Sequence, residues 1–293
     1  DIHCGGMDLI FPHHENEIAQ SESVWGPDFA KYWLHNGFLN VDKEKMAKSL
    51  GNFVTIKDVL DRNDPEALRY FLLGTHYRGP LAFDMTKEGD GRVVFTGVDE
   101  AERRVDYLYT TLDSLRKAAG SASPGGGPHA RTEGESTDPI VSAPAALKAQ
   151  SKVVAGARDA VLGALDKDLS TPQALAVLAD LAKAGNEIAT FATKKKDDAA
   201  RALAAAAADA LVSSCVMLGL LEAPTETFFA RTRERRMKLR SLDAAAIDAQ
   251  VRDRDAARAA KDFARADAIR KELAATNVEL LDGESGTAWR VLQ

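Results

Sequence analysis

The chain has 293 residues, 45% of them hydrophobic, with a formal net charge of −6. That length suits about two domains of roughly 150 residues each. The apolar share is enough for ordinary cores, and the acidic balance excludes a globally basic nucleic-acid binder. Cys4 and Cys215 are the only cysteines and lie far apart, which excludes a disulfide framework and favours a reducing, cytoplasmic setting.

The first residues, Asp1-Ile2-His3-Cys4-Gly5, include no initiator Met, no basic segment and no apolar run. A chain cut at its start, without a signal peptide, is the expectation. Residues 1–36 read as a short strand, a Gly5-Gly6 turn and a helix opening at Pro12, where a missing N–H costs nothing. Residues 37–96 mix short apolar runs with Gly and Pro and predict small strands and helices, Ala67 to Leu73 being a buried one. Residues 97–223 predict a helical bundle. Val98, Ala101, Val105, Leu108, Leu112 and Leu115 recur at helical spacing. Three further helices are expected over about 145–165, 172–193 and 198–222, with Thr171 capping the second. Residues 120–144, dense in Gly, Ser, Pro and Thr, read as a flexible insertion. Residues 224–240 read as a basic connector, within which 231–240 hold six basic residues and one acidic one, locally +5. Residues 241–293 read as a small unit with helices near 243–250 and 254–275 and two strands, Val278 to Leu281 and Thr287 to Val291. The fold class is therefore mostly α with an α/β start. No run of about 18 apolar residues occurs, so no membrane-spanning helix is predicted.

Two segments carry chemistry. In Phe11-Pro12-His13-His14-Glu15-Asn16-Glu17, a helix would set His13 and Glu17 on one face, with His14 and Glu15 pointing elsewhere. An imidazole and a carboxylate at that spacing can share a metal ion, or form a solvated pair. A zinc-protease His-Glu-x-x-His is absent. Cys4 is a third donor by chemistry alone. In Lys45-Met46-Ala47-Lys48-Ser49-Leu50-Gly51-Asn52, two lysines beside Ser and Gly suit a triphosphate, or simply a solvated loop.

Together these segments resemble the cysteinyl-tRNA synthetase family. Asp1 to Ser21 is similar to the second half of that family's active site, within a Rossmann-type class I catalytic domain. Lys45 to Ser49 looks like the Lys-Met-Ser-Lys-Ser signature with Ala47 in place of its middle Ser. Asp168-Leu169-Ser170-Thr171-Pro172, Lys261 to Asp267, and Asp282-Gly283 through Trp289-Arg290 continue the resemblance. It implies that His13 and Glu17 are two of the zinc ligands, the other two being cysteines upstream of Asp1. It implies that His3 and Asp8 bind the cysteine substrate. Lys48 would contact ATP, with Lys45 as its companion in catalysis. Arg258, Asp267 and Asp282 would read the anticodon. Trp289 is expected in the core beneath the terminal strands.

What the resemblance implies for function is ATP-dependent ligation of L-cysteine to tRNA(Cys) through cysteinyl-adenylate. Zinc would select the thiolate, Mg2+ would accompany ATP, and the enzyme would be a cytoplasmic monomer without membrane association. Because the family's His-x-Gly-His motif and two zinc ligands lie upstream, this stretch alone is expected to be inactive and to bind zinc weakly. A ligase joining cysteine to an amino sugar shares the catalytic domain, but lacks the unit at 241–293. A non-catalytic tRNA-binding module and a generic metal-binding domain are the other readings.

Overall fold

The computed structural model describes residues 1–41, 44–45, 54–87, 93–120, 138–283 and 286–293. Strands β1 (Ile2–Gly6) and β2 (Tyr32–Asn36) pair in parallel, with His3 opposite Trp33 and Gly5 opposite His35. Parallel neighbours need a crossover, and α1 (Glu15–Trp25) supplies it. A π-helical turn over Ile10–His14 leads directly into α1, and Phe11 is its one residue with non-helical backbone, so helical backbone starts at Pro12 as expected. Phe11, joined to Pro12 by a cis peptide, keeps extended backbone (φ −135°, ψ 134°). Extended backbone is what a residue preceding proline prefers.

Next come β3 (Leu39–Val41), β4 (Glu44–Lys45), α2 (Ile56–Leu60), α3 (Pro65–Leu73), β5 (Leu81–Phe83), β6 (Thr86–Lys87) and β7 (Val93–Val94). β3 sits between β4 and β5 in a small sheet. Asp64 caps α3 through the Glu66 N–H, and Pro65 occupies its first turn. Ala67 of this helix is buried with Val59, Phe83, Phe95 and Val98, as the apolar run predicts.

The bundle is α4 (Thr96–Ala119), α5 (Lys148–Leu165), α6 (Thr171–Lys195) and α7 (Asp198–Val216). All six predicted stripe residues of α4 are buried. Ser170, not Thr171, is the residue preceding the first turn of α6, because Thr171 is already helical. α7 ends at Val216 rather than 222. Gly219 (φ +66°) and Leu221 (φ +57°) take left-handed backbone, which turns Leu220 and Leu221 into the core. Among the described helices, α7 has the length and hydropathy a membrane span needs, but half of its apolar window is buried inside the bundle. Of the predicted insertion, residues 121–137 lie outside the described residues. Asp138 to Ser142 form a turn, and Ala143 is buried in the bundle core.

The basic connector is a helix, α8 (Thr225–Leu239). α9 (Ala244–Ala259), α10 (Phe263–Ala275) and the antiparallel pair β8 (Val278–Gly283) and β9 (Gly286–Val291) complete the chain. The break between α9 and α10 falls at 260–262, some ten residues beyond the expected one. Val251 packs in the terminal core and keeps α9 continuous. Lys261 (φ +61°) then turns the chain, and Asp262 caps α10 through the Arg265 N–H. Trp289 lies in that core as predicted, donates from Nε1 to Asp248 at 2.7 Å, and carries Arg233 3.6 Å above its ring.

Much of the basic charge of α8 is spent internally. Arg231 donates to Asp64 at 2.7 Å and Arg235 to Asp64 at 3.3 Å and to Glu102. Arg236, nearly fully buried, donates to Glu102 at 2.7 Å, to Asp106 at 2.9 Å and to the Val291 carbonyl at 3.0 Å. Glu66 accepts from the Tyr109 hydroxyl at 2.6 Å and from the Leu221 N–H at 2.7 Å. Tyr109 stacks on Phe228 at 3.7 Å. This junction ties α3, α4, α8 and β9 together, and it leaves little of the basic segment for an external partner.

Candidate functional site

Side chains alternate along a strand, so His3 and Gly5 share one face of β1 while exposed Cys4 lies on the other. Gly5 is required for packing: a Cβ there would stand 2.7 Å from His14 Cε1. His14 fills that space and is buried, which corrects the expectation that it points away. It precedes α1 instead of sitting on its face. Donor atoms of His3, His14 and Glu17 lie within 4.8 Å of one another. Glu17 uses its two oxygens differently. Oε2 is 2.9 Å from His3 Nε2, and Oε1 is 3.4 Å from His13 Nε2. His14 Nδ1 lies 2.9 Å from His35 Nε2, and Trp33 and Phe29 edge the cluster. Burial, reinforced by His3, lowers the His14 pKa and keeps its ring neutral.

Two imidazoles and a carboxylate are ordinary zinc donors. The two contacts of Glu17 differ in kind. For metal bonds of about 2.1 Å, adjacent tetrahedral ligands stand about 3.4 Å apart, which fits the His13–Glu17 pair. The His3 contact is hydrogen-bond length. His35 was not anticipated from sequence. Its signal was available in the register, since it stands opposite Gly5 on the neighbouring strand.

Asp8 sits in the Met7–Leu9 turn after β1, its carboxylate folded back over Gly6. Lys45 is described by its backbone alone, in β4 opposite Asn40. Lys48 and Ala47 lie outside the described residues. The strand feeding this segment is held from the bundle. Asp168, in left-handed backbone between α5 and α6, accepts from Arg78 Nε at 2.6 Å and from the Tyr77 hydroxyl at 2.8 Å. These bonds pull its pKa down to about 2. Tyr77 in turn accepts the Gly37 N–H at 2.7 Å just ahead of β3. At Gly37 a Cβ would collide with the Gly79 carbonyl at 2.0 Å, so only glycine permits this approach.

In the terminal unit the structure brings Arg258 and Asp282 together, Nη1 to Oδ1 at 3.0 Å. They line an open depression of about 610 Å³ with Asp255, Gly283, Gly286 and Thr287. Asp267 is exposed on α10 and does not line it. Arg254, missed in the sequence, lies beneath: it is buried, and it grips Asp282 with two parallel bonds of 2.8 and 2.9 Å.

Residues 1–89 match a family model described as the tRNA synthetases class I (C) catalytic domain, and residues 160–222 match the DALR domain. A cysteine-tRNA ligase of Anaeromyxobacter sp. (strain K) is 41% identical over 99% of this chain and 54% of its own length. One from Nitratidesulfovibrio vulgaris (strain DSM 19637 / Miyazaki F) is 40% identical over 100% of this chain and 55% of its own. The chain thus spans about half the length of the curated relatives it matches. Among solved structures, a Mycobacterium tuberculosis methionyl-tRNA synthetase in complex with methionyl-adenylate aligns with a TM-score of 0.41 at 18% identity, over 74% of this chain and 40% of that one. That likeness is too distant to guide the reading of single residues.

Proposed function

The chain belongs with the cysteine-tRNA ligases among the class I aminoacyl-tRNA synthetases, and from that premise we propose that it forms part of an enzyme joining L-cysteine to tRNA(Cys) at the expense of ATP. The reaction runs in two steps. The cysteine carboxylate attacks the α-phosphate of ATP, giving cysteinyl-adenylate and releasing pyrophosphate. The terminal ribose of the tRNA then attacks the acyl carbon and releases AMP. Lys45 and Lys48 offset the charge that builds on the departing pyrophosphate, with Mg2+ accompanying ATP. Asp8, at the end of β1, faces the amino acid. Asp168 steadies the strand from which the lysine segment departs.

Zinc held by His13 and Glu17 would supply a soft centre favouring a thiolate over a hydroxyl, and a specific contact of this kind gives discrimination of roughly 10⁴ without editing. His13 and Glu17 Oε1 are the ligands offered by this chain. His3 holds the other carboxylate oxygen and fixes its direction, as outer-shell partners do. Buried neutral His14, backed by His35, walls the site. The observation carrying this reading is the divided use of Glu17, with one oxygen at metal-ligand spacing from His13 and the other in a hydrogen bond to His3.

The test is zinc affinity of the chain, measured by competition with a chromophoric chelator. His13→Ala and Glu17→Gln should weaken it most. His3→Ala should cost about 10- to 100-fold. A larger loss with His14→Ala than with His13→Ala would reassign the ligands to the buried face of the cluster. Anticodon reading falls to Arg258 and Asp282, with Asp267 contributing from α10. Arg donates to guanine, and Asp accepts from an exocyclic amine, on loop bases whose edges are exposed.

A further inference from the structure

We propose that Arg254 is the positioning residue of the RNA-reading surface: it fixes Asp282 so that one carboxylate oxygen and the Arg258 guanidinium face the depression as separate acceptor and donor. This rests on the anticodon reading given above and adds to it a residue that never meets the RNA.

The geometry carries the argument. Asp282 Oδ1 accepts from Arg254 Nη1 at 2.8 Å and forms an ion pair with Arg258 Nη1 at 3.0 Å. Oδ2 accepts from Arg254 Nη2 at 2.9 Å alone among the described residues and retains a lone pair. The Arg254 side chain is 5% exposed and that of Asp282 is 47% exposed, so the fork comes from below and the carboxylate opens upward. A planar guanidinium in a two-bond grip sets the plane of the carboxylate as well as its place. The single hydrogen of the Thr287 hydroxyl is shared between Asp255 at 2.8 Å and Asp282 Oδ1 at 3.1 Å, and Oδ2 receives none of it. Without Arg254, exposed Arg258 is the remaining cation in reach of Asp282. It would turn onto both oxygens, so donor and acceptor would neutralise each other instead of reading a base. Burial of Arg254 also explains why sequence alone gave no sign of it: it sits four residues before Arg258, one turn away on the same helix.

The probe is a set of RNA hairpins carrying the anticodon stem-loop of tRNA(Cys), with single changes at each anticodon base. Binding to the chain is followed by fluorescence anisotropy at low salt, where phosphate contacts hold every hairpin. The unaltered chain is expected to prefer the cognate base at one position by roughly 5- to 150-fold. Arg254→Gln should bring that preference to within about twofold while leaving affinity for the mismatched hairpins nearly unchanged. Arg254→Lys, which keeps charge and helix but lacks the fork, should do the same and serves if the Gln variant does not fold. The double variant with Asp282→Asn should lose no more than Asp282→Asn alone, because both act through one carboxylate. Full discrimination in the Arg254 variants, equal weakening of all hairpins, or losses that add in the double variant would overturn the proposal and leave the anticodon reading standing. An unaltered chain that binds all hairpins alike would overturn both.

Discussion

Two dense clusters of ionisable groups among the described residues are built in opposite ways. At the junction of α3, α4, α8 and β9, three arginines meet Asp64, Glu66, Glu102 and Asp106. Glu102 is fully buried, and its carboxylate is met by Asn63, the Asp64 N–H, Arg235 and Arg236. Beneath β1 and α1, four histidines and Glu17 converge with a single short carboxylate contact, and His13 is 60% exposed. Buried charge is tolerated only when paired and bonded, and Asp64, Glu102 and Asp106 are each paired with arginines of α8, so the first cluster is structural. The second is open to solvent at His13, and Glu17 divides its two oxygens between His3 and His13. The same comparison separates Arg254 from Arg258: one is spent inside the fold, and the other is shared with solvent.

The sharpest way to break the comparison is to unbalance the closed cluster. Glu102→Leu strands Arg236 in the interior and should lower stability by about 3–5 kcal/mol, read as a shift in the urea midpoint. A loss below about 1 kcal/mol would mean that the junction is not closed. In the open cluster, Glu17→Gln should cut zinc affinity by at least about a hundredfold while moving the apo urea midpoint little. A large loss of apo stability would make that cluster structural too. An intermediate case is Asp168, which joins the bundle to the loop ahead of the lysine segment. Its pKa is depressed to about 2 from an ordinary 3.8, so the folded chain binds the proton less readily than the unfolded one. The contribution of this latch is therefore complete above about pH 4 and is lost as pH falls through 2. Amide exchange at residues 76–78 should rise across that window, and Asp168→Asn should abolish the pH dependence. The smallest effect is expected at Glu279, whose pairing with Arg290 is part-exposed. Glu279→Gln should change stability by less than about 1 kcal/mol.

Local pattern carried much of this into the sequence. The α4 stripe was legible because 3.6-residue periodicity marks a helix packed on one side, and Trp289 because the terminal strands need a core. The His13–Glu17 pair was legible from helical spacing. What escaped is long-range. Nothing near Arg236 in the chain indicates Glu102, and the +5 charge over 231–240 read only as a basic connector. His14 and His35 enter the site only because β1 and β2 pair with Gly5 opposite His35. The boundary between α9 and α10 was misplaced because it depends on left-handed Lys261 and the Asp262 cap, not on a Gly or Pro.

The central claim is that the open cluster holds zinc for a cysteine thiolate. X-ray absorption at the zinc edge tests it most directly, on the zinc-loaded chain carrying Cys4→Ala so that the exposed thiol is removed. The account predicts nitrogen and oxygen neighbours near 2.0–2.2 Å, and one sulfur at about 2.3 Å that appears when L-cysteine is added and not with L-serine. No sulfur on adding L-cysteine, or the same spectrum with both amino acids, would contradict it.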